Sequence, residues 1–201
     1  SACIDLLKKK CHLDVQSNIL VLWSWNWNFE FLLMRDLNIP PANITSCDID
    51  PWKFALSEIK CHEVDIDKWL PFKDNSFDLI ICLEVIEHLE NQWSLIREVV
   101  RLKKQKGFAL ISSPNMENFF NRFYFFVTGK MGFFSNRDYR ISGHINPLFS
   151  WNFYRMLEKY GLQLVYQTSN LYFIWLVPFY VKMKIGIKNI NFSQINIFLL
   201  Q

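Results

Sequence analysis

Residues 19–31 read I-L-V-L-W-S-W-N-W-N-F-E-F, and their reading decides the fold. Four aliphatic residues in a row are too few to span a bilayer and too unbroken for an edge strand, so 19–22 read as a buried strand of a parallel sheet. A turn follows. Asn26 and Asn28 favour turns and helix starts, and Phe29, Leu32 and Leu33 then recur at helical spacing, which predicts a helix from Asn28 to about residue 37. Strand, tight loop and helix form the corner of a doubly wound α/β fold over which a nucleotide-like ligand lies. Such a loop is ordinarily glycine, because the backbone must approach the ligand closely and some residues take positive φ. Here it holds Trp23, Trp25 and Trp27. They read either as one aromatic face of a half-buried strand or as a G-x-G-x-G loop with each glycine replaced.

The glycine distribution favours the second reading. All six glycines lie at or beyond residue 107, whereas ordinary usage of about 7% puts roughly seven in the first 106 residues. Six of the eight tryptophans lie in that glycine-free stretch. An α/β domain needs left-handed turn positions, and each costs an L-residue about 1–2 kcal/mol. Several of these tryptophans are therefore expected to occupy glycine positions, as they would if a genome reading UGA as glycine were translated with tryptophan at that codon. UGG codons at 23, 25 and 27 would exclude that origin.

Outward from the loop, helical and strand-like runs alternate. Helices are predicted at 2–10, 51–59 and, from an Asn91 cap, through Leu102, with Gly107 ending the turn after it. Strands are predicted at 44–47, 61–64, 77–83, 108–112 and 162–166, and a further helix at 149–159. The alternation predicts a doubly wound, mostly parallel sheet in three layers, with about six or seven strands. Residues 1–17 read as an N-terminal helix, 18–168 as the domain with an aromatic insertion at 114–148, and 169–201 as an apolar and basic C-terminal segment. Within that segment the eleven residues 171–181 are too few for a bilayer, which needs about 20. With lysines at 182, 184 and 188 they form either a core element or an interfacial anchor that would bring 171–188 into peripheral contact with a membrane.

At 201 residues, 51% hydrophobic and 17% aromatic, the chain suits one domain with a sizeable core and is not disordered. Residues 1–100 carry 9 Lys/Arg against 16 Asp/Glu and the remainder 13 against 3, so the second half suits an anionic partner. Its basic residues are scattered among aromatics rather than clustered as a groove lining, which argues against nucleic acid. Five cysteines without a C-x-x-C pair fit free thiols in a reducing compartment. The expected location is cytoplasmic. The opening residues lack an export signal, and an initial Ser suggests that residues are missing upstream.

Residues 18–168 resemble a class I S-adenosylmethionine-dependent methyltransferase of the small type 11 kind. The passages that carry the likeness are L-P-F-K-D-N-S-F-D-L-I-I-C-L-E-V-I-E-H-L and R-L-K-K-Q-K-G-F-A-L-I-S-S-P-N. The resemblance implies S-adenosylmethionine as cofactor and sets the three glycines of the family's first motif on Trp23, Trp25 and Trp27, with Ser24 between them. By the same resemblance Asp48, with Ile49 beside it, would hold the ribose, Asp65 the adenine amino group and Ile66 the adenine ring. Leu83 and Glu84 would line the methionyl side. Val21 stands where the family has an aspartate, and Trp69 where relatives often carry glycine. S-G-H-I-N-P-L-F-S-W resembles methyltransferases of polysaccharide and lipid-linked glycan clusters, and 114–148 lies where methyltransferases commonly place a substrate lid.

Independently of the resemblance, an acidic residue ending the second strand is placed to accept hydrogen bonds from ribose hydroxyls, although Asp48 or Asp50 also serves as a helix cap. Methyl transfer from a sulfonium needs alignment and exclusion of water more than a fixed catalytic group. For a hydroxyl acceptor a base helps, and His88 and His144 are the candidates because imidazole titrates near neutrality; packing and loop-structural roles are the alternatives for them. Four scattered histidines without H-x-x-x-H spacing argue against a metal site. O-methylation of a small-molecule or glycan- or lipid-linked acceptor is the function expected. The alternatives are a non-catalytic protein whose tryptophans fill the cofactor loop and, less favoured, an NAD-dependent oxidoreductase, whose G-x-G-x-x-G spacing would need small residues at 23, 25 and 28.

Overall fold

Short apolar runs become the strands of one sheet. The computed structural model describes residues 2–23, 28–170 and 193–201. The strands are β1 (Ile19–Leu22), β2 (Ile44–Asp48), β3 (Lys60–Glu63), β4 (Phe77–Leu83), β5 (Lys103–Pro114), β6 (Leu164–Asn170) and β7 (Ile195–Leu200), in the spatial order β3-β2-β1-β4-β5-β7-β6. The first five in that order are parallel and β7 runs antiparallel to both its neighbours. The helices are α1 (Ala2–Lys10), α2 (Asn28–Leu37), α3 (Gln92–Leu102), α4 (Phe119–Thr128), α5 (Asn136–Ser142) and α6 (Ser150–Tyr160).

The period of two along each strand divides its apolar side chains between two cores. Leu20, Leu22, Ile80, Cys82 and Ile111 pack with Leu95 and Val99 of α3 and Phe153 and Met156 of α6. Ile19, Val21, Leu79, Ile81 and Leu110 pack with Ile4 and Leu7 of α1 and Leu33 of α2. Three layers result, and strands clothed on both faces explain why their sequences read as unbroken apolar runs. Asn91 caps α3 as its position suggests, its side chain accepting from the Ser94 amide at 3.2 Å.

Three expectations need correction. The helix expected over 51–59 is a single 3-10 turn, Pro51–Lys53. Beyond it Phe54 and Leu56 pack against the second core, and two apolar anchors two residues apart suit extended chain rather than a helix face. Gly107 ends no turn but lies inside β5, where the β4 register jumps between Phe77 and Leu79. A Cβ there would stand 2.9 Å from the Phe77 carbonyl oxygen and 3.0 Å from that of Asp78. Gly107→Ala is therefore expected to cost about 1–3 kcal/mol, read as a lower urea midpoint with an unchanged slope.

The third correction concerns residues 169–201. Of these, 195–200 are not outside the domain, because β7 inserts between β5 and β6 with Ile197, Phe198, Leu199 and Leu200 buried. The sheet thus extends past the boundary expected at 168. The apolar run at 171–181, and the membrane contact considered for 171–188, lie outside the described residues. Among the described residues no helix is long and apolar enough to cross a membrane.

Candidate active site

From β1 the chain turns toward β2 and β3, and from β4 toward β5, so the adjacent carboxyl ends of β1 and β4 form the switch point where doubly wound sheets bind ligands. Leu22 stands in register with Cys47 of β2 and Cys82 of β4. Trp23 follows with φ +62. That left-handed conformation costs an L-residue about 1–2 kcal/mol and favours glycine, and β1 has already ended. The strand reading of the tryptophans therefore fails at the first of them. The Trp23 ring centroid lies 4.4 Å from that of His88, so the indole reaches from the end of β1 across to the loop after β4. Ser24, Trp25 and Trp27 lie outside the described residues. Trp69 is not among the residues with positive φ, and its ring lies over the Arg101 guanidinium at 4.7 Å. No backbone demand for glycine exists there.

Asp48 ends β2 at the same edge of the sheet as Trp23. It is buried, its Oδ1 accepts the Asp50 amide at 2.8 Å, and its carbonyl accepts the Val64 amide at 2.9 Å, tying β2 to the chain leaving β3. Burial pushes its carboxyl above the usual range, with the Asp50 amide opposing. Ile49 is exposed and Ile66 buried. Asp65 Oδ1 accepts the Asp67 amide at 3.1 Å, and Oδ2 pairs with Lys68 Nζ at 3.0 Å. Glu30 of α2 was not singled out by the sequence; it is buried and accepts the Ser46 hydroxyl at 2.9 Å. Its only signal was a lone carboxylate in the apolar stretch N-F-E-F-L-L.

The other wall is the end of β4. Glu84 takes φ +54, a conformation rare for a side-chain-bearing residue and retained where surrounding contacts fix it. Its amide donates to Ser112 Oγ at 3.0 Å, and that hydroxyl donates to Glu84 Oε1 at 2.7 Å. Burial pushes the carboxyl up to about 7, opposed by the Ser112 hydrogen bond. A 3-10 turn, Ile86–His88, then carries Glu87 and His88. His144 arrives from the loop after α5, and its ring centroid lies 4.8 Å from that of His88. Burial first and His144 second lower the His88 pKa. The fold thus unites the two candidate histidines with the end of the first loop. A cleft of about 830 Å³ lined by Asn75, Lys103, Tyr160 and Gln163 lies at the opposite, amino edge of the parallel strands and takes no part in this cluster.

Residues 31–111 match the family described as Methyltransferase domain. Over these residues the chain is similar to that family, and its sheet has the Rossmann-like methyltransferase fold. The family's cofactor is S-adenosylmethionine. Among similar solved structures, a SAM-dependent methyltransferase from Archaeoglobus fulgidus superposes with a TM-score of 0.67 at 14% identity, covering 99% of this chain and 92% of that one. A Haloferax volcanii methyltransferase, solved with a methyltransferase activator, gives 0.67 at 12% identity over 98% and 87%. At those identities the likeness concerns the fold. The ubiquinone biosynthesis O-methyltransferase of Rickettsia bellii is 48% identical over 42 residues, 21% of this chain and 18% of that protein. The matches to the curated relatives thus span about a fifth of their length.

The carboxyl edge of the sheet offers groups with the chemistry an adenosine would meet, a carboxylate and an apolar side chain. Asp48 keeps a buried carboxyl group at the end of β2, and Ile66 is buried. The Trp23 backbone also has the left-handed conformation that a loop glycine would supply, although its side chain occupies the space beside His88.

Proposed function

We propose that this domain transfers a methyl group from S-adenosylmethionine to a hydroxyl of a small-molecule or glycan- or lipid-linked acceptor. The observation that carries the reading is the convergence of Trp23, Asp48 and Glu84 at the carboxyl edge of neighbouring parallel strands. Asp48 would accept from the ribose hydroxyls, Asp65 from the adenine amino group, and Ile66 would lie against the adenine ring. Leu83 and Glu84 would line the methionyl side. When bound, the cofactor supplies an electrophilic methyl on a good leaving group, so alignment and exclusion of water are the protein's main tasks.

His88 and His144 are the groups available to take a proton from an acceptor hydroxyl. The lowered pKa of His88 keeps its imidazole neutral near pH 7, the form a base requires. The segment 114–148, with exposed Phe123, Phe125 and Phe126 on α4, offers apolar surface on the chain between β5 and α6, in keeping with an acceptor that carries an apolar moiety. The name of the Rickettsia relative points to a hydroxyl acceptor as well.

The second reading, a methyltransferase fold that no longer takes the cofactor, draws on the Trp23 indole lying against His88. The two are separated in a variant whose loop is Trp23→Gly, Trp25→Gly, Trp27→Gly. Methyl transfer from labelled S-adenosylmethionine to a panel of phenolic and glycosidic hydroxyls is the expected result, and Asp48→Ala in that background should weaken cofactor binding at least about tenfold through lost charge-assisted hydrogen bonds. Binding indifferent to Asp48 would remove the ribose assignment. No transfer to any hydroxyl despite cofactor binding would remove the O-methylation reading.

A further inference from the structure

The E-V-I-E-H turn buries a carboxylate that the methyl-transfer chemistry does not use. Glu87 is fully buried, and neither of its side-chain oxygens has a hydrogen-bond partner. A carboxylate in that position costs several kcal/mol when ionised and alone, so such a group is kept either protonated or beside a cation. The surroundings supply donors suited to a cation. His88 Nε2 lies 4.0 Å from Glu87 Oε1, and one ligand atom from each of Glu87, His88 and His144 lies within 4.8 Å of the others.

The approach of His144 is built into the backbone. Gly143 ends α5 in the left-handed conformation, φ +74, and the Ile145 and Asn146 amides then donate to the Glu87 carbonyl at 3.1 and 3.0 Å. Gln92 Nε2 bridges the Ile86 and Asn146 carbonyls at 3.2 and 2.8 Å, fastening the same loop to the 3-10 turn. His144 Nδ1 lies 2.8 Å from the Phe133 carbonyl oxygen. A carbonyl can only accept, so Nδ1 carries a proton, and in the neutral ring Nε2 keeps its lone pair. Orientation of one ring nitrogen by a backbone carbonyl is the usual support of a histidine that ligates through the other.

From this geometry we propose that Glu87, His88 and His144 form a binding site for one divalent first-row metal cation. Two imidazoles and a carboxylate without a thiolate suit a borderline cation such as Zn²⁺ or Fe²⁺ better than Cu⁺ or Ca²⁺. Metal–ligand distances of about 2.0–2.2 Å place neighbouring donors roughly 3–3.5 Å apart, so closure requires side-chain movements of about 1 Å. Three protein ligands leave at least one position open. With the metal bound, His88 and His144 are ligands rather than bases, and an acceptor oxygen held at the open position would be acidified by the cation instead; that use rests on the methyl-transfer reading, whereas the existence of the site does not.

The test is metal uptake by the whole chain, stripped with a chelator and dialysed. Titration with Co²⁺ should give visible d–d absorption saturating at one equivalent, and Zn²⁺ should displace it. His144→Ala, a change on a loop, and Glu87→Gln should each weaken Co²⁺ binding on the order of 100-fold, while His62→Ala, outside the cluster, should leave it unchanged. Far-UV circular dichroism checks that each variant is folded, and His144→Ala alone decides the matter if Glu87→Gln is not. No saturable uptake by the native chain, or uptake that His144→Ala leaves unaltered, overturns the proposal. Metal uptake with no methyl transfer to any acceptor by the Trp23→Gly, Trp25→Gly, Trp27→Gly variant would leave the site standing and remove the methyl-transfer reading. Methyl transfer by a chain that takes up no metal would do the reverse.

Discussion

Exchanging Trp23, Trp25 and Trp27 together for glycine is expected to raise the affinity for S-adenosylmethionine by at least about 100-fold, or roughly 2.7 kcal/mol. Trp23 takes φ +62 at the end of β1, so this position already has the shape that glycine adopts without strain and tryptophan adopts at a cost. The side chain then has to go somewhere, and it lies against His88 over the junction of β1 and β4, where the cofactor of this fold belongs. A packed tryptophan buries roughly 150–250 Å²; a ligand must displace it before binding. Isothermal titration of the native chain and the triple variant checks the expectation. Equal affinities would mean that the tryptophans are tolerated, and no binding by either would direct attention to Val21, where the resemblance to methyltransferases sets an aspartate. Trp69→Gly serves as a contrast: its φ is not positive, its ring covers Arg101, and glycine there should not raise affinity.

Where the sequence was legible, apolar periodicity and local stereochemistry pointed to the same element. The runs 19–22 and 77–83 are β1 and β4 to the residue, and the helix expected from Asn28 is α2. Asp48 could be assigned to the carboxyl edge because strand ends in a parallel sheet converge there whatever the loops do. β7 was obscured because I-N-I-F-L-L adjoins a longer apolar stretch and because an antiparallel insertion between β5 and β6 depends on partners distant in sequence. The grouping of Glu87 and His88 with His144 was hidden for the same reason. Spacing rules detect ligands on one helix or hairpin, whereas His144 arrives across more than fifty residues through the turn at Gly143 and the amides of Ile145 and Asn146. Gly107 misled because glycine marks both turns and close backbone approaches, and only the Phe77 and Asp78 carbonyls distinguish the two.

The largest expected loss of stability belongs to Arg101→Met. Arg101, the last charged residue of α3, donates to Glu98 Oε1 and Oε2 at 3.0 and 2.7 Å, to Asp74 Oδ1 at 2.6 Å, and to the Phe72 and Leu70 carbonyls at 2.8 Å each. Glu98 is buried and also accepts the Leu70 amide at 3.0 Å. One guanidinium therefore fastens the loop 70–76 to α3 and offsets a buried carboxylate. Methionine keeps much of the side-chain packing but leaves Glu98 without its cation and takes the guanidinium donor from the Phe72 carbonyl, while the Leu70 carbonyl keeps the Phe72 amide at 2.8 Å. Breaking a buried pair from one side costs about 3–5 kcal/mol, a large part of the roughly 5–15 kcal/mol that holds a domain folded. The thermal midpoint should fall by about 10 °C for a chain of this size. Glu98→Met combined with Arg101→Met should recover more than half of the loss, because removing both charges leaves neither buried alone. A loss below about 1 kcal/mol in the single variant would mean that the Leu70 amide and solvent suffice for Glu98, and that the loop before β4 is held by Leu70 and Phe72 packing rather than by Arg101.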